Sequence, residues 1–116
     1  MKTILMSDQY ELLELDRTYT DAEMAAIHKG YCPVEMEGKW FIYWKDGELF
    51  FHRSWTGFCV YVVKFVDIEG GAKIVEIKAN RDPTFWKRWA VDDERQREIE
   101  TEQIRNLMDG LAGRVT

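Results

Sequence analysis

The sequence predicts an α+β domain, an antiparallel meander sheet of four to five strands with a short N-terminal helix and C-terminal helices packed on it. Three features lead there. Asp46-Gly47 separates two aromatic-rich runs within residues 39–53, and an Asp-Gly pair readily takes the positive φ angles of a two-residue hairpin turn. Residues 58–66 are apolar on both alternating faces, as in a covered central strand, and Gly70-Gly71 follows as a second turn. Near the C-terminus Ile104, Leu107, Met108 and Leu111 recur at helical spacing.

Taken in order, Tyr10 to Arg17 carries Leu12, Leu13 and Leu15 among acids and reads as an edge strand. Thr20-Asp21-Ala22-Glu23 has the spacing of a capping box and opens a short helix over about residues 21–29, which Gly30 ends. Tyr31 to Gly38 is a loop into the hairpin. Counting outward from Asp46-Gly47 pairs Lys45 with Glu48, Trp44 with Leu49, Tyr43 with Phe50, Ile42 with Phe51, Phe41 with His52 and Trp40 with Arg53. Alternation then puts Trp40, Ile42, Trp44, Leu49, Phe51 and Arg53 on one face. The other face receives Phe41, Tyr43, Lys45, Glu48, Phe50 and His52. Both faces are apolar, so both are expected to be covered.

Counting from Gly70-Gly71 brings Val66 opposite Val75 and Val63 opposite Lys78 in a returning strand, Lys73 to Ala79. Asp82-Pro83 has the form of an N-cap with proline at the first helical position, predicting a short helix to about Ala90 that aligns Phe85, Trp86 and Trp89. Asp92-Asp93-Glu94 is the acidic first turn of a last helix, closed by Gly110 or Gly113, with residues 94–102 as its solvated face. Residues 1–116 form a single domain, long enough to bury a core without disulfides or metal.

The charge of -5 is uneven. Residues 1–37 hold three basic and eight acidic side chains, residues 38–91 nine and six, and residues 92–116 four and seven. The basic middle also holds all five tryptophans. A long nucleic acid, whose affinity comes from neutralising many phosphates over a broad basic surface, is disfavoured, whereas a small anion is permitted. Cys32 and Cys59 lack any metal-ligand spacing and are expected to be reduced, in a cytoplasmic protein. No apolar run approaches the ~20 residues of a membrane span, and no signal-peptide pattern is visible. Two histidines and no clustered cysteines leave no zinc site, and no cofactor motif occurs.

Chemistry concentrates in Phe51-His52-Arg53-Ser54-Trp55-Thr56-Gly57. An arginine fork, two hydroxyls and an indole suit a phosphate and a planar base, and Gly57 permits close backbone approach. The same residues also admit a structural reading, with Arg53 stacked on the cross-strand Trp40 and Ser54 and Thr56 forming the turn. As a general base His52 would need a partner in reach, and its neighbour Ser54 on the strand is poorly placed to be one. Basic Lys78, Arg81, Lys87 and Arg88 flank Phe85, Trp86 and Trp89, a set that fits either ligand stacking or coverage of the sheet.

Trp40-Phe41-Ile42-Tyr43, the His52-Arg53-Ser54-Trp55-Thr56-Gly57 hexamer and Tyr61 resemble a group of small, largely uncharacterised bacterial and phage proteins with K-W-F-x-Y and H-R-S-W-T-G motifs, sometimes attached to ADP-ribosylglycohydrolase domains. The similarity covers about residues 10–80. The chain departs from the pattern at Gly38, where an acidic residue is expected before Lys39. The resemblance implies non-enzymatic sensing or sequestering of a nucleotide-like anion, such as an ADP-ribose- or NAD-derived or cyclic-nucleotide signal, in phage defence or counter-defence. Lys39 and Arg53 would hold phosphate, Trp40 and Trp55 would stack, and His52, Ser54, Thr56 and Tyr61 would complete the hydrogen bonds. The alternatives are a nucleotide hydrolase using His52, and a protein-interaction module forming a homodimer through exposed aromatics.

Overall fold

The computed structural model describes residues 6–31, 40–54, 56–84, 86–87 and 90–113. Among them lie β1 (Tyr10–Leu13), β2 (Thr18–Thr20), α1 (Asp21–His28), β3 (Trp40–Lys45), β4 (Glu48–Arg53), β5 (Cys59–Ile68), β6 (Gly71–Asn80) and α2 (Asp93–Ala112). The strands form one antiparallel sheet in the order β1-β6-β5-β4-β3, with β2 also on β6. The protein is therefore α+β, as the sequence predicts, with six strands rather than four to five.

The β3–β4 register agrees with the count from the turn at every pair, from Lys45 with Glu48 to Trp40 with Arg53. Asp46 and Gly47 both adopt positive φ, at 52° and 81°. At the start of α1 the Thr20 hydroxyl accepts from the Glu23 N–H while the Glu23 carboxylate accepts from the Thr20 N–H, closing the capping box. At α2 the Asp92 carboxylate alone caps the helix, accepting from the Arg95 N–H, and Gly113 ends it.

Four expectations need correction. The second turn is Glu69-Gly70, not Gly70-Gly71, because Gly71 already pairs with Ile68. Gly71 has another duty, since a Cβ there would lie 1.8 Å from the Tyr19 carbonyl oxygen of β2. The Glu69-Gly70 turn pairs Val66 with Lys73 rather than Val75, and a register shift between Phe65 and Lys64 then pairs Val63 with Ile77, leaving Val75 bulged. The single edge strand over residues 10–17 is two short strands, because the edge spends four residues, 14–17, where β6 spends three, 74–76. The described residues of 83–90 form turns and a bend rather than a helix, although the Trp86 N–H does reach the Asp82 carbonyl at 2.9 Å. His28 lies exposed at the end of α1, its ring 4.1 Å from that of Trp44.

Both helices cover the same side of the sheet. Met24 and Ile27 of α1 and Ile104, Met108 and Leu111 of α2 share one core with Leu49, Phe51, Tyr61, Val63, Phe65 and Ile77. Tyr19 Oη donates to Asp109 Oδ1 at 2.8 Å and Arg17 pairs with the same carboxylate, tying β2 to the C-terminal half of α2. Phe41, Tyr43 and Phe50 point to the opposite side and stay half-buried. No helix among the described residues is long and apolar enough to cross a membrane.

Gly71→Ala is expected to destabilise the fold by about 2 kcal/mol or more, since β2 must move away from β6. Gly110→Ala, in an exposed turn of α2 with nothing within 4 Å of the new methyl, should instead stabilise it by about 0.5–1 kcal/mol. Urea melts of the two variants measure the contrast.

Candidate functional site

Strand alternation divides the motif at the end of β4. Arg53 lies on the helix-covered side, where its guanidinium sits 4.5 Å from the Trp40 ring centroid. Trp40 in turn stacks on Tyr61 with centroids 5.9 Å apart and planes 22° apart. The three therefore form a layered stack from a half-buried guanidinium to a fully buried phenol. No described carboxylate pairs with Arg53.

His52 lies on the other side and is 1% exposed. Its Nδ1 lies 2.9 Å from the Gly57 carbonyl oxygen, so that nitrogen carries the proton, and its ring stacks on Tyr43 at 5.4 Å. Nε2 is buried without a hydrogen-bond partner among the described residues. Burial holds the imidazole pKa below its ordinary 6.5, outweighing the bond to Gly57. His52 thus fixes the turn after β4 and does not meet Arg53. The turn itself closes through the Gly57 N–H to the Arg53 carbonyl at 2.7 Å, with Gly57 at φ 79°.

Ser54 is half-buried and Thr56 exposed, the latter accepting from the Phe58 N–H at 3.5 Å. Lys39 and Trp55 lie outside the described residues, as do Phe85, Arg88 and Trp89. Of the eight sequence-predicted positions, Trp40, Arg53 and Tyr61 come together, with Ser54 and Thr56 in the adjoining turn, and His52 stands apart.

Behind Tyr61 lies a polar cluster that the sequence reading missed. Tyr61 Oη is 2.7 Å from Gln103 Oε1 and 3.4 Å from Glu100 Oε2. Glu100, with no exposed surface, takes both terminal nitrogens of Arg81, which also pairs with Glu11 at 2.9 Å and stacks on Trp86 at 4.5 Å. Burial raises the Glu100 carboxyl pKa against the pull of Arg81, Gln96 and Tyr61. The same cause raises the Tyr61 phenol. Cys59 is free and buried, its thiol pushed up to about 12, so it supplies no thiolate near neutrality. A signal for the cluster did exist: stepping back by four from Ile104 gives Glu100 and Gln96, which continue the buried stripe of α2.

An open groove of about 800 Å³ runs between β1 and α2, lined by Glu11, Glu14, Glu94, Glu98 and Glu102 against Arg97 and Arg105. Its balance is acidic and it repels the anion that Arg53 would attract. Among the described residues no cluster of side chains could hold a metal ion. No family model matches the chain, and neither does any curated protein or solved structure.

Two outcomes follow. Glu100→Ala leaves the 15% exposed Arg81 with Glu11 as its remaining carboxylate among the described residues and should cost about 3 kcal/mol in a urea melt, the usual loss from a broken buried pair. For His52 the unfolded imidazole protonates near 6.5 and the folded one only at lower pH. The unfolded chain therefore binds more protons below 6.5, and this contribution to stability falls as pH drops through that window. His52→Asn, whose amide can still donate to Gly57, should have a flatter stability profile than the parent between pH 6.5 and 5, measured as the difference between the two chains.

Proposed function

We propose that the protein is a non-enzymatic binding module for a small nucleotide-like anion, an ADP-ribose- or NAD-derived or cyclic-nucleotide signal, acting in the conflict between phage and host. The observation that carries this reading is Arg53, a half-buried guanidinium stacked on Trp40 with no described carboxylate to neutralise it. A cation braced in this way loses little further freedom when it accepts a phosphate, and arginine does so through two parallel hydrogen bonds. Ser54 and Thr56 adjoin it, and Lys39 precedes Trp40 in the chain. Trp40 and Tyr61 hold the guanidinium from beneath rather than touch a ligand. The motif resemblance to proteins joined to ADP-ribosylglycohydrolase domains supplies the class of ligand.

A hydrolytic role for His52 has less support, because the imidazole is sealed and on the other face. The cytoplasm is the compartment in which such a signal would be met.

Thermal unfolding against ADP-ribose, cyclic ADP-ribose isomers and cyclic dinucleotides tests the reading. At a hundred times the dissociation constant the active compound should stabilise the protein by about 2.7 kcal/mol. Arg53→Ala should abolish that shift while lowering the ligand-free stability by only about 0.5–2 kcal/mol, the value of the lost stack. No shift with any of them at millimolar ligand would remove the proposal.

A further inference from the structure

The sheet ends at β1, and that edge is open. The Arg81 N–H donates to the Gln9 carbonyl at 2.8 Å, which makes Gln9 and Arg81 a hydrogen-bonded pair. Alternation then turns the main-chain groups of Glu11 and Leu13 toward β6 and those of Tyr10 and Leu12 outward. Two N–H groups and two carbonyls therefore face away from the sheet, and no described residue takes them. The opposite edge differs, since Ile42 of β3 exchanges both of its outward bonds with Tyr31.

The two flanks of the open edge are chemically distinct. On the helix-free side stand Tyr10 and Leu12, 42% and 56% exposed. On the other side α2 runs beside the edge, tied to it by Arg97 on Glu11 at 3.0 Å and by Arg17 on Asp109 at 3.2 Å. Between those ties the edge advances six residues and the helix twelve, matching lengths of roughly 20 Å and 18 Å. Edge and helix thereby bound the open groove of about 800 Å³. Glu94, Glu98 and Glu102 recur in it every fourth residue, ~6 Å apart, close to the ~6.6 Å between alternate residues of a strand. Glu14, Glu94 and Glu102 are exposed and join no ion pair among the described residues.

We propose that the β1 edge is a strand-addition site for an extended segment of a partner protein in which apolar and basic residues alternate. The segment's main chain pairs with Tyr10 and Leu12, and its apolar side chains stand beside theirs. The basic residues between them point to the other side, into the groove and its glutamates. Charge selects this occupant over a second copy. Pairing β1 with itself, Tyr10 opposite Leu12, sets Glu11 against Glu11 of the second copy and crowds two acidic grooves together. The edge lies at the margin of the sheet, three strands from Arg53 on β4, so this site and the anion site stand or fall separately.

A fluorescein-labelled Val-Lys-Val-Lys-Val-Lys peptide, followed by anisotropy at low salt and by amide hydrogen exchange of the whole chain, tests the proposal. The Tyr10 and Leu12 amides should exchange fast in the free chain and at least about tenfold more slowly at saturating peptide. Leu12→Pro removes an outward donor and no bond to β6, a position where an edge strand tolerates proline. It should weaken binding about tenfold, the value of one lost hydrogen bond, while Leu12→Val retains it. Combining Glu14→Gln, Glu94→Gln and Glu102→Gln should also weaken binding about tenfold and flatten its salt dependence. The block peptide Lys-Lys-Lys-Val-Val-Val, equal in charge, should bind more weakly and leave both amides fast. Equal affinity for the two peptides would reduce the site to charge attraction and overturn the proposal. So would amides already slow before peptide is added, no binding at millimolar peptide, or full binding by Leu12→Pro with an unchanged circular dichroism spectrum. The exchange measurement decides the matter even where Leu12→Pro fails to fold.

Discussion

The β3–β4 hairpin sets Trp40, Ile42, Leu49 and Phe51 on one side of the sheet and Phe41, Tyr43 and Phe50 on the other, and water penalises both sides alike. The described helices α1 and α2 serve only the first side. Antiparallel sheets commonly keep one face wet, but that face then carries polar residues at every second position. Here only one cross-strand row, Lys45 to Glu76, keeps that pattern. The adjacent rows are aromatic or aliphatic for much of their width. That second face is itself divided: around His52, Cys59, Val62 and Asn80 it is sealed, and its apolar exposure is confined to Tyr10 and Leu12 on β1 and Val66 and Ile68 at the end of β5.

On the covered side, α2 meets the sheet with two chemistries in one stripe. Its C-terminal half presents Ile104, Met108 and Leu111, while its N-terminal half presents Glu100 and Gln96. A buried carboxylate is costly unless paired, and Arg81 pairs it at the end of β6, where the strand leaves the sheet. The pair gains little over an apolar contact in stability. What it adds is position: Glu100 and Gln103 reach the Tyr61 hydroxyl, Tyr61 stacks under Trp40, and Trp40 carries Arg53. Helix, sheet and rim are thereby held in one register by groups that are directional, which a greasy contact is not.

The sequence was most legible where local chemistry dictates geometry. Asp46-Gly47 leaves one way to pair β3 with β4, and Thr20 with Glu23 leaves one place to start α1. It was less legible where a residue answers to a distant neighbour. Gly71 resembles a turn glycine, yet it is glycine because Tyr19 of β2 passes within reach of a side chain there. Asp82-Pro83 has the form of a helix start, and Asp82 does accept from the Thr84 N–H, but Trp86 is drawn to Arg81. Glu100 sits among charged residues that are mostly wet, and only its spacing from Ile104 marks it as buried. Each of these depends on a contact made across the sheet, which no short window of sequence contains.

The hexamer from His52 to Gly57 shows how a continuous motif can serve two places at once. Successive strand residues face opposite sides, so His52 and Arg53 cannot share a pocket while β4 remains extended. His52 holds the turn by its bond to Gly57, and the turn returns the chain through the Arg53 N–H to the Phe58 carbonyl at 3.1 Å. That closure fixes the backbone on both sides of Arg53 and delivers the guanidinium onto Trp40. The histidine therefore acts on the far face to decide where the arginine stands on the near one. An imidazole sealed beneath Tyr43 is well suited to this, because it stays neutral near pH 7 and keeps donating to the same carbonyl. Specificity of sequence in such a motif follows from one strand being asked to anchor a turn and present a cation with adjacent residues.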